Sequence, residues 1–345
     1  MKPKLIIDDA IPFLDGRLES HFDCRYMPGE EISRADLRDA EGLLVRTRTR
    51  CDEELLKDTP VTFVATGTIG LDHIDTEWCD EHGIHWQNAP GCNAPAVAQY
   101  VFRALSELGL PLDLDGIPQE QRPVLGIVGK GHVGGIVAEW ARRLGLNVIV
   151  SDPPRAAQGF EDEDYLSLKE VMGRADAVTF HTPLIKKSRP GLPSTLHLAG
   201  AGEFEMLKPG AIVINAARGG IVDEEALLAA KREKGLKIAI DTWEGEPEIN
   251  TDTLREADIA TFHIAGYSRQ GKERATRAIL SGLEEHFNTI LPESDLAAPY
   301  TPPANLTEEV IRKSYDIMTD DYIMRQEYKE FEHLRNAYPL REEVK

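Results

Sequence analysis

Three polar segments in the second half of the chain carry side chains that could act together on a small hydroxy acid. They are NAARGG from residue 215, DTWEGEP from residue 241 and HIAGY from residue 263, and each follows an apolar run. Arg218 could bind a carboxylate and the oxygen beside it, because a guanidinium forms paired hydrogen bonds. His263 could accept a hydroxyl proton, since an imidazole titrates near neutral pH. Glu246 is the expected partner that orients this imidazole, and Glu244 is the alternative.

A glycine-rich turn predicts the cofactor that would receive a hydride. Gly129, Gly131 and Gly134 follow an apolar run and open a helical stretch over residues 133–144, in the pattern that lets backbone amides approach a pyrophosphate. Asp152 ends the next apolar run, where a carboxylate accepts hydrogen bonds from the adenosine ribose. A carboxylate there repels a 2′-phosphate, so the motif favours NAD, while the nearby Arg155 leaves NADP open.

These groups need a parallel sheet to bring them together. Short apolar runs alternate with helical patterns at residues 5–7, 43–45, 63–65, 125–128, 148–150, 178–180, 212–214 and 238–240. Continuous apolar runs of this kind are typical of strands that helices cover on both faces. Ligands bind at the carboxyl ends of such strands. The sequence therefore predicts an α/β fold with doubly wound parallel sheets.

The composition excludes several classes of protein. The chain of 345 residues has 39 Lys and Arg against 59 Asp and Glu, a net charge of −20 that repels nucleic-acid phosphates and anionic lipids. Two acids directly after the first apolar run disrupt a signal peptide, and no apolar run reaches membrane-spanning length. The four cysteines have no metal-ligand spacing and are too sparse for a disulfide framework. We expect a cytoplasmic protein with no nucleic-acid, membrane or metal partner.

One basic run contrasts with the acidic chain. The sequence VRTRTR, residues 45–50, directly follows an apolar run. Arg46, together with Arg48, could supply positive charge to an anionic group of the substrate. The alternative is a solvated loop, since exposed arginines are common.

The catalytic and glycine motifs resemble those of the D-isomer-specific 2-hydroxyacid dehydrogenases. That family carries its arginine, glutamate and histidine in N-x-x-R-G, D-V-x-x-x-E-P and a later histidine, which match Arg218, Glu246 and His263. The strings TIGLDH, APGCNA, DPPRA, FHTPL and HIAGYS are similar to one branch of the family, whose substrate is a small phosphorylated hydroxy acid. The similarity is good over residues 1–290 and fragmentary in the tail.

The resemblance implies a domain arrangement and an assembly. A Rossmann-type NAD-binding domain, residues 94–266, would be inserted into a flavodoxin-like substrate domain formed by residues 1–93 and 267–293. Residues 294–345 would form a short C-terminal tail, a shortened form of the dimerisation region of that branch. The expected assembly is a homodimer, formed either by this tail or by the long helix predicted over residues 94–110.

The resemblance also implies further site residues. The implied substrate contacts, to which Arg46 is added from the basic run, are Thr47, Thr68 and Tyr267. The implied cofactor contacts outside the three glycines are His132, Val133, Asp152, Thr182, Ala216, Ala217, Asp241 and Gly266.

The sequence thus predicts NAD-dependent oxidation at C2 of a phosphorylated hydroxy acid. One alternative is a dehydrogenase for another small D-2-hydroxy acid, such as glycerate, 3-phosphoglycerate or lactate. A second alternative, from a different functional class, is an NAD-sensing binding protein that acts through partner peptides.

Overall fold

The computed structural model describes residues 2–189, 191–292 and 295–345. The strands are β1 Lys4–Asp8, β2 Asp23–Met27, β3 Gly42–Val45, β4 Phe63–Thr66, β5 His85–Gln87, β6 Val124–Val128, β7 Asn147–Ser151, β8 Ala177–Phe180, β9 Ile212–Asn215, β10 Lys237–Ile240 and β11 Ile259–Ala260. The α-helices are α1 Glu53–Leu56, α2 Thr76–Glu81, α3 Ala94–Glu107, α4 His132–Arg143, α5 Pro153–Ala157, α6 Leu168–Arg174, α7 Ala201–Met206, α8 Glu224–Lys234, α9 Thr251–Glu256, α10 Arg269–Phe287, α11 Glu308–Ser314, α12 Ile317–Glu327 and α13 Phe331–Asn336. Within these ranges, no helix is both long and apolar enough to cross a bilayer.

The first compact unit comprises Met1–Asn93 and Ser268–Thr301. Its five parallel strands lie in the order β2-β1-β3-β4-β5, which is the flavodoxin-like order. Ile279 and Leu283 of α10 pack with Leu5 and Phe63 in one of its buried apolar clusters. The apolar strand residues are thus removed from water, which stabilises the sheet.

The second compact unit comprises Ala94–Tyr267 and Pro302–Lys345. Its six parallel strands lie in the order β11-β10-β9-β8-β6-β7, which contains the Rossmann order 2-1-4-5-6, lacks the strand beyond β7 and adds β11 at the opposite edge. At the β7 edge, Tyr165 forms only an isolated parallel bridge with Val150 of β7. Helices α3 and α4 contact each other, and Phe102 lies against Trp140 in the core.

The predicted α/β class and the two parallel sheets are confirmed. Every apolar run that was predicted to be buried lies within an observed strand. The sequence analysis missed β2, β5 and β11, which lie at the edges of their sheets. Two of them, DCRYM and HWQ, are rich in polar and aromatic residues, because an edge strand need not be apolar on both faces.

The tail is helical for only part of its length. Its last helix ends at Asn336, and Pro339 cannot continue a helix. From residue 302 onward the tail belongs to the second unit, and its Ile317 and Met324 are buried in the core of that unit. The predicted boundary between the substrate domain and the tail, at residues 293 and 294, lies outside the described residues.

The turn between β6 and α4 depends on a close backbone contact at Gly134. A Cβ atom at this position would lie 2.0 Å from the carbonyl oxygen of Gly129. The neighbouring Gly135 lies on the same helix, and a Cβ atom there would meet nothing within 4 Å. The third glycine of the motif is therefore required by helix–strand packing.

Gly134→Ala should lower the free energy of unfolding by about 1–3 kcal/mol, the usual effect of overpacking, as measured by urea denaturation. Gly135→Ala is the matched control and should be neutral or stabilising, since alanine is the better helix former. Equal stability of the two variants would contradict this account of the turn.

Candidate functional site

Four strands of the second unit end at one edge of its sheet. Their last residues are paired in register: Val128, Phe180, Asn215 and Ile240. The glycine turn and the segments carrying Thr182, Arg218 and Asp241 leave the sheet from this edge. This is the place where open parallel sheets bind their ligands.

His263 and Glu246 form a hydrogen-bonded pair. His263 Nδ1 lies 2.5 Å from Glu246 Oε1, and the other carboxylate oxygen accepts from the backbone N–H of Trp243 at 3.2 Å. Glu244, the alternative partner, lies instead 2.9 Å from Nε2 of His197. The structure therefore joins His263 to Glu246 and leaves Nε2 of His263 as the ring nitrogen that can exchange a proton with a substrate.

The surroundings of Glu246 favour its charged form. Burial raises the pKa of this carboxyl, but the hydrogen bond from His263 and the positive charges of His263 and Arg335 outweigh burial and hold it below its usual value. A carboxylate that stays ionised can stabilise an imidazolium. His181, directly after β8, differs, because burial lowers its pKa to about 3.

Asp241 fixes the segment that carries His263. Its carboxylate is fully buried and accepts hydrogen bonds from the Thr261 hydroxyl at 2.7 Å and from the backbone N–H groups of Ile264 and Ala265 at 2.8 and 2.9 Å. His263 has φ of 59°, in the left-handed region that side chains other than glycine seldom adopt. The sequence analysis expected Asp241 to contact the cofactor and missed this role in holding the histidine.

Arg218 follows β9 on a segment that passes close to the Glu246 segment. A Cβ atom on the next residue, Gly219, would lie 1.8 Å from the carbonyl oxygen of Trp243, so only glycine fits there. Asn215 Nδ2 donates to the carbonyl of Arg218 at 3.0 Å, which fixes the backbone at the arginine. The strand end thus places Arg218 next to the segment that carries Glu246.

The glycine turn and Asp152 are joined by backbone hydrogen bonds. Gly129 N–H donates to the carbonyl of Ser151 at 2.8 Å, and Lys130 N–H donates to Asp152 Oδ2 at 2.7 Å. Asp152 Oδ1 also accepts from the N–H of Arg155 and so caps α5. Each carboxylate oxygen has two lone pairs, so Asp152 can still accept from a ribose hydroxyl.

Three of the four other predicted substrate residues belong to the first unit, and Tyr267 belongs to the second. Thr47 follows β3 and is exposed, and Thr68 follows β4, where its hydroxyl lies 2.9 Å from that of Thr66. Arg46 donates to the carbonyl of Ala10 at 3.2 Å, and its charge acts on the buried carboxyl of Asp8. Arg48 forms a surface ion pair with Glu30.

Comparison with known proteins shows which family this chain belongs to. Residues 116–265 match the profile described as "D-isomer specific 2-hydroxyacid dehydrogenase, NAD binding domain". The erythronate-4-phosphate dehydrogenases of Bacteroides fragilis and Escherichia coli K12 are 42% and 40% identical to the chain; each comparison covers 99% of the chain, with 97% and 92% of the relatives. The chain belongs to the D-isomer-specific 2-hydroxyacid dehydrogenase family. The fold also matches that of D-lactate dehydrogenase from Aquifex aeolicus, with a TM-score of 0.66, 23% identity and coverage of 83% of this chain and 95% of that one.

The cofactor of this dehydrogenase is NAD, and the residues at the strand ends fit it. The hydroxyl oxygen of Thr182 is buried without a hydrogen-bond partner among the described residues, as expected of a group that awaits a ligand. A Cβ atom at Gly131 would meet nothing within 4 Å, so open space lies beside the turn. The other predicted contacts lie on α4, after β9 and in the turn that follows His263: His132, Val133, Ala216, Ala217 and Gly266.

Lys130 and Arg155, two cations close to Asp152, form ion pairs with the acidic loop of residues 161–164. Lys130 Nζ lies 2.8 Å from Asp162 and 2.7 Å from Glu163. Arg155, which left NADP open, contacts Asp162 at 3.3 Å and the Tyr165 hydroxyl at 3.1 Å. Because these charges are already paired, they are poor partners for a 2′-phosphate, and the dehydrogenase is suited to NAD.

The tail supplies two arginines that the sequence analysis missed. Arg341 is buried and donates to the carbonyl oxygens of Ile264, at 2.9 Å, and Ala265, in the turn after His263. Arg335 Nε donates to the Tyr267 hydroxyl at 3.2 Å, at the end of the same turn. No local pattern separates these two arginines from the exposed charges of the tail.

The tail also contains a carboxyl with a raised pKa. Burial raises the pKa of Asp320 to about 6 from an ordinary value of 3.8, although the Tyr338 hydroxyl donates to it at 2.9 Å. The folded protein therefore binds this proton more tightly than the unfolded chain does. The contribution of Asp320 to stability becomes less favourable as pH rises from about 4 to about 6 and stays so above that range.

Asp320→Asn should raise the free energy of unfolding at pH 8 by about 2 kcal/mol and change it little at pH 4, as measured by urea denaturation at both values. Asp316→Asn is the control, and the opposite change in stability is expected for it. Hydrogen bonds to Thr319 lower the pKa of Asp316, so this variant should lose stability at pH 8 rather than gain it. A gain for Asp320→Asn that does not depend on pH would contradict the argument.

Proposed function

We propose that this dehydrogenase oxidises the C2 hydroxyl of 4-phospho-D-erythronate and reduces NAD, giving 2-oxo-3-hydroxy-4-phosphobutanoate, a step in pyridoxal 5′-phosphate synthesis. Relatives named for this substrate are 40–42% identical to the chain over nearly its whole length. The observation that carries the chemistry is the bond of 2.5 Å between His263 and Glu246, next to the segment that bears Arg218. The proposed substrate is inferred from the names of the relatives, whereas the proposed acid–base chemistry is inferred from this pair.

His263 is proposed to act as the acid–base residue. Its Nδ1 is bound to Glu246, so Nε2 accepts the proton of the C2 hydroxyl as the hydride leaves the carbon. Glu246 stays ionised and stabilises the imidazolium that results. NAD, when bound, supplies a nicotinamide ring that accepts the hydride.

Arg218 is proposed to orient the substrate. A guanidinium can bind the C1 carboxylate through paired hydrogen bonds and polarise the oxygen on C2 as the carbonyl forms. Thr47, Thr68, Tyr267 and Arg46 are the further substrate contacts in this proposal, through hydroxyl and guanidinium donors.

The alternatives make different predictions for activity. A dehydrogenase for another acid would prefer D-glycerate, 3-phosphoglycerate or D-lactate to phosphoerythronate. An NAD-sensing protein would bind NAD without oxidising any of these acids. The intact His263–Glu246 pair, together with the match to relatives named as dehydrogenases, favours an active enzyme.

The purified protein should form NADH faster with 4-phospho-D-erythronate than with D-glycerate, 3-phosphoglycerate or D-lactate. The absorbance of NADH measures the rate. His263→Ala should lower kcat by about 10²–10⁴, the usual contribution of a general base. A 2-oxo acid added to parallel assays would reoxidise any cofactor that is retained after a turnover.

His197→Ala is the matched control, since His197 also pairs with a glutamate but has no role in the proposal. It should retain most of the activity. Preference for another acid would replace the proposed substrate, and equal activity of the two histidine variants would refute the role of His263.

We also propose that the protein is a homodimer in the cytoplasm. Helix α3, one of the two expected contacts, is buried within its own unit, and Arg103 on α3 donates to the carbonyl of Tyr315 in the tail. Met318 and Tyr322 lie one turn apart on α12 and are 36% and 65% exposed. We therefore propose α12 as the surface that meets the second copy, in agreement with the dimerisation region implied by the sequence.

Tyr322→Glu should convert the dimer into a monomer, because a charge placed in an apolar contact must be desolvated, and sedimentation equilibrium would measure the change. Ile290→Glu, at an apolar side chain that is 85% exposed on the first unit, is the control and should remain dimeric. A dimer in both variants would place the contact elsewhere.

A further inference from the structure

Arg335 is a largely buried cation beside the proposed catalytic pair. Its side chain is 19% exposed, although it belongs to the last helix of the tail. Its Nε donates to the Tyr267 hydroxyl at 3.2 Å, and Tyr267 ends the turn that carries His263. Its charge also acts on Glu246, so it lies close to the residues that handle the proton.

Burial lowers the pKa of Arg335, but Tyr267, Glu246 and Glu332 together outweigh burial and raise it, so its charge is balanced without a short ion pair among the described residues. Its acidic contact is Glu332 Oε1 at 3.4 Å, at the long end for an ion pair, and the Glu332 side chain is 44% exposed. The nearby Glu246 carboxylate is bound to His263 at 2.5 Å. A buried cation normally has a close anionic partner, because its desolvation is otherwise unfavourable. An anionic ligand would provide that partner.

The proposed substrate has an anion at a suitable distance from the reacting carbon. Arg218 is assigned to the carboxylate on C1, and the phosphate lies on C4, two carbons beyond the C2 that loses the hydride. A cation that binds the phosphate must therefore lie within several ångströms of His263, on the side away from the carboxylate. Arginine suits this task, since its guanidinium matches the oxygens of a phosphate.

We propose that Arg335 is a specificity-determining residue that binds the terminal phosphate of the substrate together with the Tyr267 hydroxyl. The inference rests on the proposed function, which it extends by assigning to the C-terminal tail a direct contact with the substrate. Arg46, the cation suggested by the sequence, already bonds to Ala10 and acts on Asp8 within its own unit. Arg335 is the cation that is joined to a predicted substrate residue.

The test compares phosphorylated and unphosphorylated substrates. Values of kcat/KM with 4-phospho-D-erythronate and with D-erythronate should be measured for the wild type and for Arg335→Gln. We expect kcat/KM for the phosphorylated acid to fall about 10- to 100-fold, mainly through KM, with little change for D-erythronate. Arg335→Lys, which keeps the charge but not the planar donor pair, should recover part of the loss.

Arg312→Gln is the matched control, because Arg312 lies on α11 of the same tail and its side chain is 58% exposed. It should leave both values unchanged. An equal loss for the two acids in Arg335→Gln would overturn the proposal, since a residue that only positions Tyr267 or Glu246 would affect both. If Arg335→Gln does not fold, Arg335→Met replaces it and is judged by the same ratio.

Failure of the proposed function would be seen separately. A wild-type protein that does not oxidise 4-phospho-D-erythronate would reject that substrate. The same variants would then be compared on 3-phosphoglycerate and D-glycerate, which differ in the same way. A selective loss on 3-phosphoglycerate would support Arg335 as the phosphate-binding residue, and an equal loss on both acids would overturn it.

Discussion

The buried carboxylate of Asp241 is the constraint on which the candidate site depends. It lies directly after β10 and accepts three hydrogen bonds from the segment Thr261–Ala265. That segment holds His263 at a positive φ, a conformation that persists only where the surroundings impose it. The imidazole reaches Glu246 because the backbone is fixed in this way. The acid–base geometry therefore rests on a residue that need not touch a substrate.

Hydrogen bonds hold both the N–H groups and the carbonyl oxygens of the turn after His263. Its N–H groups donate to the carboxylate of Asp241, and its carbonyl oxygens accept from the guanidinium of Arg341. Negative charge thus meets the donors and positive charge meets the acceptors, which satisfies buried backbone groups that strand pairing leaves open. The tail extends this arrangement through Arg335 and Tyr267. In this chain the C-terminal segment is consequently part of the site's support.

The sequence predicted those features that follow from local pattern. Apolar runs located the central strands, and the glycine spacing located the turn at Gly134, because each reflects a local steric or packing requirement. The edge strands β2 and β5 escaped prediction, since pairing at a sheet edge needs little apolar surface, and β11 escaped it because it is only two residues long. Arg335 and Arg341 escaped it for another reason. Their burial depends on where a distant tail packs, and nothing in the neighbouring residues records that contact.

The distribution of charge explains how a chain of net charge −20 can accept anionic ligands selectively. Near Asp152, the acidic loop pairs with Lys130 and Arg155, so the cations that could attract a 2′-phosphate are already satisfied. Beside the His263–Glu246 pair, the largely buried Arg335 has a long acidic contact, 3.4 Å, with Glu332. In an acidic protein the long-range field repels anions, so selectivity must come from such short-range differences. The same arrangement disfavours one phosphate at the cofactor and favours another at the substrate.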